Sequence, residues 1–258
     1  MRDPAGPRLI QVGIFTATRW EFHAIRNALV VQDEQRIGRY RAVLGRRGHA
    51  QVLLVRTGLG VASGEAAYRE ALTSHRLELA ISSGFACALS ASAIGDLLVG
   101  TEVLVSLSGA ALESGGQVIS CSKERQVQAM GAAREADVTA RAGRFVTVPH
   151  VVWRAEEKRA VAAMTGAIGL DMESAAVGAV AAEQGTPFAV LRTVSDLPDE
   201  DLPLDFNLFL SPSGWMRGTF ACLTHPSCLL GLKRLRAQVA RASEGMSRFF
   251  VKFLEGLE

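Results

Sequence analysis

Short apolar runs alternate along this chain with stretches of helical periodicity, and several of the runs are apolar at nearly every position. Runs of that kind read as strands at Leu9–Thr16, Ala50–Thr57, Leu77–Ser83, Asp96–Val105, Arg144–Val148, Ala167–Leu170 and Pro187–Val194. Between and after them, helical patterns cover Arg19–Leu29, Val61–Ser74, Lys123–Ala136, Glu156–Thr165, Met172–Gln184 and Ser227–Leu254. A strand apolar on both faces must be covered on both faces. The alternation therefore predicts an α/β fold: one domain with a central mixed, mostly parallel twisted sheet between layers of helices, plus a C-terminal helical extension.

The length of 258 residues suffices for one such domain with a sizeable core. Residues 1–8 read as a flexible lead, 9–226 as the domain and 227–258 as a basic amphipathic helix. In that helix Leu232, Leu235, Val239, Ala242, Met246, Phe249, Phe250 and Phe253 trace an apolar stripe, with Lys233, Arg234, Arg236, Arg241 and Arg248 between them. Such a helix can pack on the domain or a dimer partner, or lie on a membrane surface with its charges toward headgroups.

The net charge of +2 gives no argument for a nucleic-acid partner. Cys87, Cys121, Cys222 and Cys228 form no C-x-x-C pair, and the five histidines are scattered, so neither a metal nor another cofactor is expected. Reduced thiols, no signal-peptide core and no long uncharged apolar run make a cytoplasmic protein the expectation, with at most peripheral contact to the inner membrane face.

In open α/β sheets, ligands bind beyond the carboxyl ends of the strands. Four groups of residues are expected there: Thr18-Arg19-Trp20-Glu21, a glycine turn at Ser83-Gly84-Phe85-Ala86, Asp171-Met172-Glu173, and Ser195-Asp196. Each has a plain structural explanation. Asp196 suits an Asx turn, Asp171 a helix cap, Glu173 the first turn of a helix, Glu21 a solvated helix face, and Gly84 a tight turn. Each also has a chemical one. An acid in a partly dry crevice can donate a proton, because desolvation disfavours the charged carboxyl. Glu173 can accept from sugar hydroxyls, and Glu21 can activate water.

The segment Gly169-Leu-Asp-Met-Glu-Ser-Ala-Ala-Val177, followed by Thr186-Pro-Phe-Ala-Val-Leu-Arg-Thr-Val-Ser-Asp196, resembles the purine/uridine phosphorylase superfamily. Within it, the branch containing methylthioadenosine/S-adenosylhomocysteine nucleosidase is the most similar. The resemblance extends over roughly residues 9–210 and implies cleavage of the N-glycosidic bond of a purine nucleoside. It implies Asp196 as the acid that protonates the purine, oriented by Ser195. It also implies Glu173 on the ribose 2′-hydroxyl, Met172 against the sugar, Glu21 polarising the attacking water, Phe206 closing over the ribose, and the Val151 backbone on the base. Ser83, Gly84 and Phe85 fall in the segment near the nucleophile.

Three departures bear on what attacks. The family's small glycine-bearing loop is Phe85-Ala86-Cys87-Ala88 here, Arg19-Trp20 replaces acidic residues, and His150 stands where an aromatic often stacks on the base. Arg19 could serve a phosphate, which keeps a phosphorylase beside the hydrolase. The segments Ala155–Arg159 and Thr165–Glu173 are also similar to the phosphorylase-like proteins associated with hopanoid biosynthesis, thought to release adenine from adenosylhopane. The family commonly forms dimers or larger assemblies. A non-catalytic sensor of adenine nucleosides is the alternative of another class.

Overall fold

The computed structural model describes residues 9–105, 117–207 and 226–257, with side chains of the last segment described from residue 230. Residues 1–8 and Cys222, and the side chain of Cys228, lie outside that description.

The first strand, β1 (Ile10–Thr16), is followed by α1 (Arg19–Arg26). Then come β2 (Val30–Ile37), β3 (Tyr40–Arg47) and β4 (Ala50–Arg56). α2 (Val61–Leu72), β5 (Leu79–Ala88), β6 (Leu97–Val105) and β7 (Val118–Ser120) follow. The chain continues through α3 (Lys123–Glu135), β8 (Ala140–Thr147), α4 (Ala155–Thr165) and β9 (Gly169–Asp171). It ends with α5 (Ser174–Glu183), β10 (Phe188–Asp196) and α6 (Pro226–Glu255).

β1 pairs in parallel with β4 and β5, and β5 with β10. β10 then turns the sheet through an antiparallel pairing with β6. β6 runs parallel to β8, β8 to β9, and β9 returns to β5 at Cys87 and Ala88. Half of the sheet thus closes into a ring, while β4, β3 and β2 extend from β1 as an antiparallel meander.

Of that meander the sequence reading marks only β4, at Ala50–Thr57, and the hairpin of β2 and β3 is absent from it. β2 is largely exposed, with the polar run Gln-Asp-Glu-Gln-Arg, so no continuous apolar signal marks it. Its two-residue turn, Gly38-Arg39, has Gly38 at φ 53, where a side chain is disfavoured. Ser83-Gly84 is not a strand-ending turn either: β5 continues through it to Ala88. Residues 85–88 extend the strand because their backbone pairs with β10 and then β9.

Alternation along β1 divides the core. Val12 and Ile14 pack with α1, α3 and α6, and Phe15 packs with α2 and α5 on the opposite face. α5 is buried almost all round, as a helix of Ala, Val and Gly between a sheet and α2 must be. The apolar stripe of α6 goes to the core: Ala242, Met246, Phe249, Phe250, Phe253 and Leu254 are buried, and Lys233, Arg234, Arg236, Arg241 and Arg248 are exposed. No helix among the described residues is long and apolar enough to cross a membrane.

Phe250 sits in a cluster of three rings, 5.2 Å from Phe249 and 6.2 Å from Phe253 between centroids. Phe250→Ala is expected to destabilise the fold by about 3–5 kcal/mol through lost burial and a residual cavity. Urea denaturation checks this; a loss below about 1 kcal/mol would show that α6 is not part of the cooperative core.

Candidate functional site

A cavity of about 280 Å³ opens at the carboxyl ends of β1, β5, β9 and β10. Its walls are mainly apolar, with Leu59, Phe85, Val152, Met172, Phe206 and Leu235 among them, and it contains Glu21, Glu173, Arg192, Ser195 and Asp196. The carboxylates therefore converge, on strands and helix starts that are themselves buried.

Arg192 organises one side. β10 carries it into the interior, where it is 2% exposed. Its Nη1 donates to the Phe85 carbonyl at 3.0 Å and its Nη2 to Ser82 Oγ at 3.0 Å. Its Nε lies 3.0 Å from Asp171 Oδ2, and Nη2 lies 3.5 Å from Glu173 Oε2. Burial opposes the guanidinium charge, but Asp171, Glu173 and Glu21 together hold its pKa above the ordinary arginine value.

Asp171 caps α5: its Oδ1 accepts from the amides of Glu173 and Ser174 and from Thr147 Oγ1. Glu173 is accordingly the residue before the helix, not a member of its first turn. Its side chain reaches instead to the start of α2, where Oε1 accepts from the Gly60 amide at 2.8 Å. Burial pushes the Glu173 carboxyl up to about 7; Arg192 and the Gly60 amide oppose that push, and Asp171 and Glu21 add to it.

Glu21 is buried, not a solvated surface charge. It closes a capping box with Thr18 at the start of α1, where Oε2 accepts from the Thr18 amide. Its other oxygen, Oε1, accepts from the Phe85 amide at 2.8 Å. Gly84 makes this approach possible, since a Cβ there would stand 2.7 Å from the Glu21 carboxyl carbon.

Asp196 stands on the other side. Its Oδ1 accepts from Ser195 Oγ at 2.9 Å, and its Oδ2 from Lys158 Nζ at 2.8 Å. Its crevice is thus charged as well as dry. Lys158 and Arg192 are the two buried cations paired with these carboxylates that sequence reasoning passed over. Arg192 interrupts an otherwise apolar strand, which was a signal; Lys158 in a Glu-Glu-Lys-Arg run resembles surface charge.

Other expected positions fall as follows. Met172 and Phe206 line the cavity, Ser83 lies behind it with Oγ donating to the Leu191 carbonyl, and Val151 lines it with its backbone already engaged. The Val151 amide donates to Asn207 Oδ1 at 2.7 Å, and its carbonyl accepts from Asn207 Nδ2 at 2.8 Å. Arg19 is exposed, with its guanidinium over the Trp20 ring, and is not among the cavity residues. His150 contacts Glu157 rather than the cavity. Among the described residues, no cluster of three or more His, Cys, Asp or Glu is arranged to hold a metal ion.

Residues 11–211 match the model of the phosphorylase superfamily. The chain belongs to that superfamily. A 5′-methylthioadenosine/S-adenosylhomocysteine nucleosidase of Exiguobacterium is 26% identical over 225 residues, covering 78% of this chain and 91% of the relative. The namesake enzyme of Helicobacter pylori shares the fold at TM-score 0.75 and 19% identity, covering 97% of this chain and 100% of that one. A futalosine hydrolase of the same organism superposes at TM-score 0.74 and 19% identity, covering 96% and 99%.

Two predictions follow from the carboxylates. Gly84→Ala is expected to displace Glu21 from the Phe85 amide and to destabilise by about 1–3 kcal/mol, read by urea denaturation. Folded Glu173 keeps its proton to about pH 7, whereas a carboxyl of ordinary value near 4.5 has lost it. The folded state then binds more protons between those values, and stability falls as pH rises through that window. In thermal melts, Glu173→Gln should gain on the parent between pH 5 and pH 8; a constant difference would contradict the raised value.

Proposed function

We propose that this protein hydrolyses the N-glycosidic bond of an adenine nucleoside and releases the free base. The observation that carries the reading is the pairing, across one largely apolar cavity, of an Asp196 held by Ser195 and Lys158 with a Glu21–Glu173–Arg192 group. The nucleosidase relatives support it.

Asp196 donates a proton to the purine ring, which makes the base a better leaving group. The sugar passes through an oxocarbenium-like state. Glu173, with Met172 beneath the sugar, engages the 2′-hydroxyl and stabilises the developing positive charge. Glu21, fixed by two backbone amides, accepts the proton of the attacking water.

Water is favoured over phosphate by charge. An incoming phosphate would approach the Glu21 carboxylate, and the nearby Arg192 is already occupied by Asp171, Glu173, Ser82 and Phe85. Arg19, exposed on Trp20, offers no compensating cation in the cavity. For the 5′ substituent, Leu59, Leu202, Phe206 and Leu235 favour an apolar group, which suits adenosylhopane better than a charged amino-acid tail. The exposed basic face of α6 would then serve as a headgroup contact, its apolar face being engaged in the core.

The test is base release from methylthioadenosine, S-adenosylhomocysteine, futalosine, inosine, adenosine and adenosylhopane, each with and without phosphate. Phosphate-independent adenine release is expected, fastest with an apolar 5′ group. Asp196→Asn should lower turnover by about 10²–10⁴-fold while adenine binding persists. No base release from any nucleoside would refute the reading, and retained binding without turnover would leave a sensor.

A further inference from the structure

Lysine is almost never fully buried without a partner, and Lys158 is 0% exposed. α4 carries it under the turn that follows β10. All three ammonium hydrogens have acceptors: Asp196 Oδ2 at 2.8 Å, the Leu197 carbonyl at 3.1 Å and the Glu200 carbonyl at 2.9 Å. The turn is itself anchored, because the Glu200 side chain meets Arg234 and Gln238 on α6. Burial alone would push the ammonium down; Asp196 outweighs it, so Lys158 is held charged.

The groups facing this pair are few. Cys87, opposite Asp196 in the β5–β10 register, has its thiol pushed well up, by burial first and by Asp196 second. It stays neutral and does not compete for the ammonium. Ser195 Oγ lies 2.9 Å from Asp196 Oδ1 and 3.4 Å from the Ala86 carbonyl, so its one hydrogen can turn to Ala86 when Oδ1 is itself protonated.

We propose that Lys158 is the positioning residue of the acid: it clamps Asp196 Oδ2 and the 197–200 turn, leaves Oδ1 to carry the transferable proton, and balances the charge that remains on the carboxylate after transfer. The inference rests on Asp196 being the acid. In the step, the Asp196 O–H bond breaks and a purine N–H bond forms. The electron pair of the C–N glycosidic bond goes to the purine as that bond breaks. Water oxygen bonds to the anomeric carbon, and its proton passes to Glu21 and then to solvent, from which Asp196 is reprotonated. An ammonium beside the conjugate base stabilises the charge that remains after transfer.

The test compares the parent with Lys158→Met, Lys158→Gln and Lys158→Arg. The glutamine variant keeps a donor for the turn without the charge. The measurements are the pH profile of kcat/KM for adenine release, adenine binding against pH by calorimetry, and the melting temperature. Both neutral variants should lose about ten- to hundredfold in kcat/KM at pH 7. Their alkaline limb should move from that of the parent, because the charge left on the acid has lost its counter-cation. Lys158→Arg should keep the limb near that of the parent. A purely structural role would scale the profile without moving the limb, and that result overturns the proposal. So does failure of both neutral variants to fold, which would leave Lys158 a structural clamp. If the parent turns over no nucleoside, the catalytic reading fails by itself. A Lys158-dependent shift in adenine binding would then still support the pairing, and no shift would end both.

Discussion

The site depends on one guanidinium taken out of water. Arg192 ties β10 to β5 through Ser82 and Phe85, and to the start of α5 through Asp171, Ser174 and Glu173. An unpaired charge in such a place would be very costly, so its partners must be held in register with it. Those partners are the carboxylates that line the cavity. The same arrangement that satisfies Arg192 therefore fixes Glu173 and brings it near Glu21. Glu173 and Glu21 each take backbone amides besides, from Gly60, Thr18 and Phe85. The site is preorganised because its charges are structurally required.

A second buried pair, Lys158 with Asp196, is attached to different elements: α4, the end of β10 and the turn beyond it. The two clusters divide the charge of the cavity. One concentrates carboxylates around a saturated arginine, which suits a developing sugar cation and an entering water. The other joins one acid to one ammonium, which suits proton transfer to a leaving base. Between them the wall is apolar, and electrostatic effects are correspondingly strong there.

Much of this was legible in advance because period and residue type survive folding. The apolar runs at Ala50–Thr57 and Pro187–Val194 lie close to β4 and β10, and the candidate residues at 171–173 and 195–196 do stand at strand ends. The hairpin of β2 and β3 was not legible. Its strands are held by backbone pairing at a solvated edge, which leaves little mark on side-chain hydrophobicity. Nor was it legible that a carboxamide distant in sequence, Asn207, engages the Val151 backbone.

By itself the sequence determined the α/β class, the placement of Asp196 and Glu173 at strand ends, and the superfamily resemblance. Those follow from local periodicity and from motifs of contiguous residues. Only the tertiary structure decided that the α6 stripe is core, that Gly84 is a notch for Glu21 rather than a turn, that Arg19 faces away, and that Lys158 is the partner of Asp196. Each of these depends on what a side chain meets across the fold: 38 positions separate Lys158 from Asp196, and 64 separate Glu21 from Phe85. No local pattern records such a contact. A buried charge reveals its role only when its partner is in place.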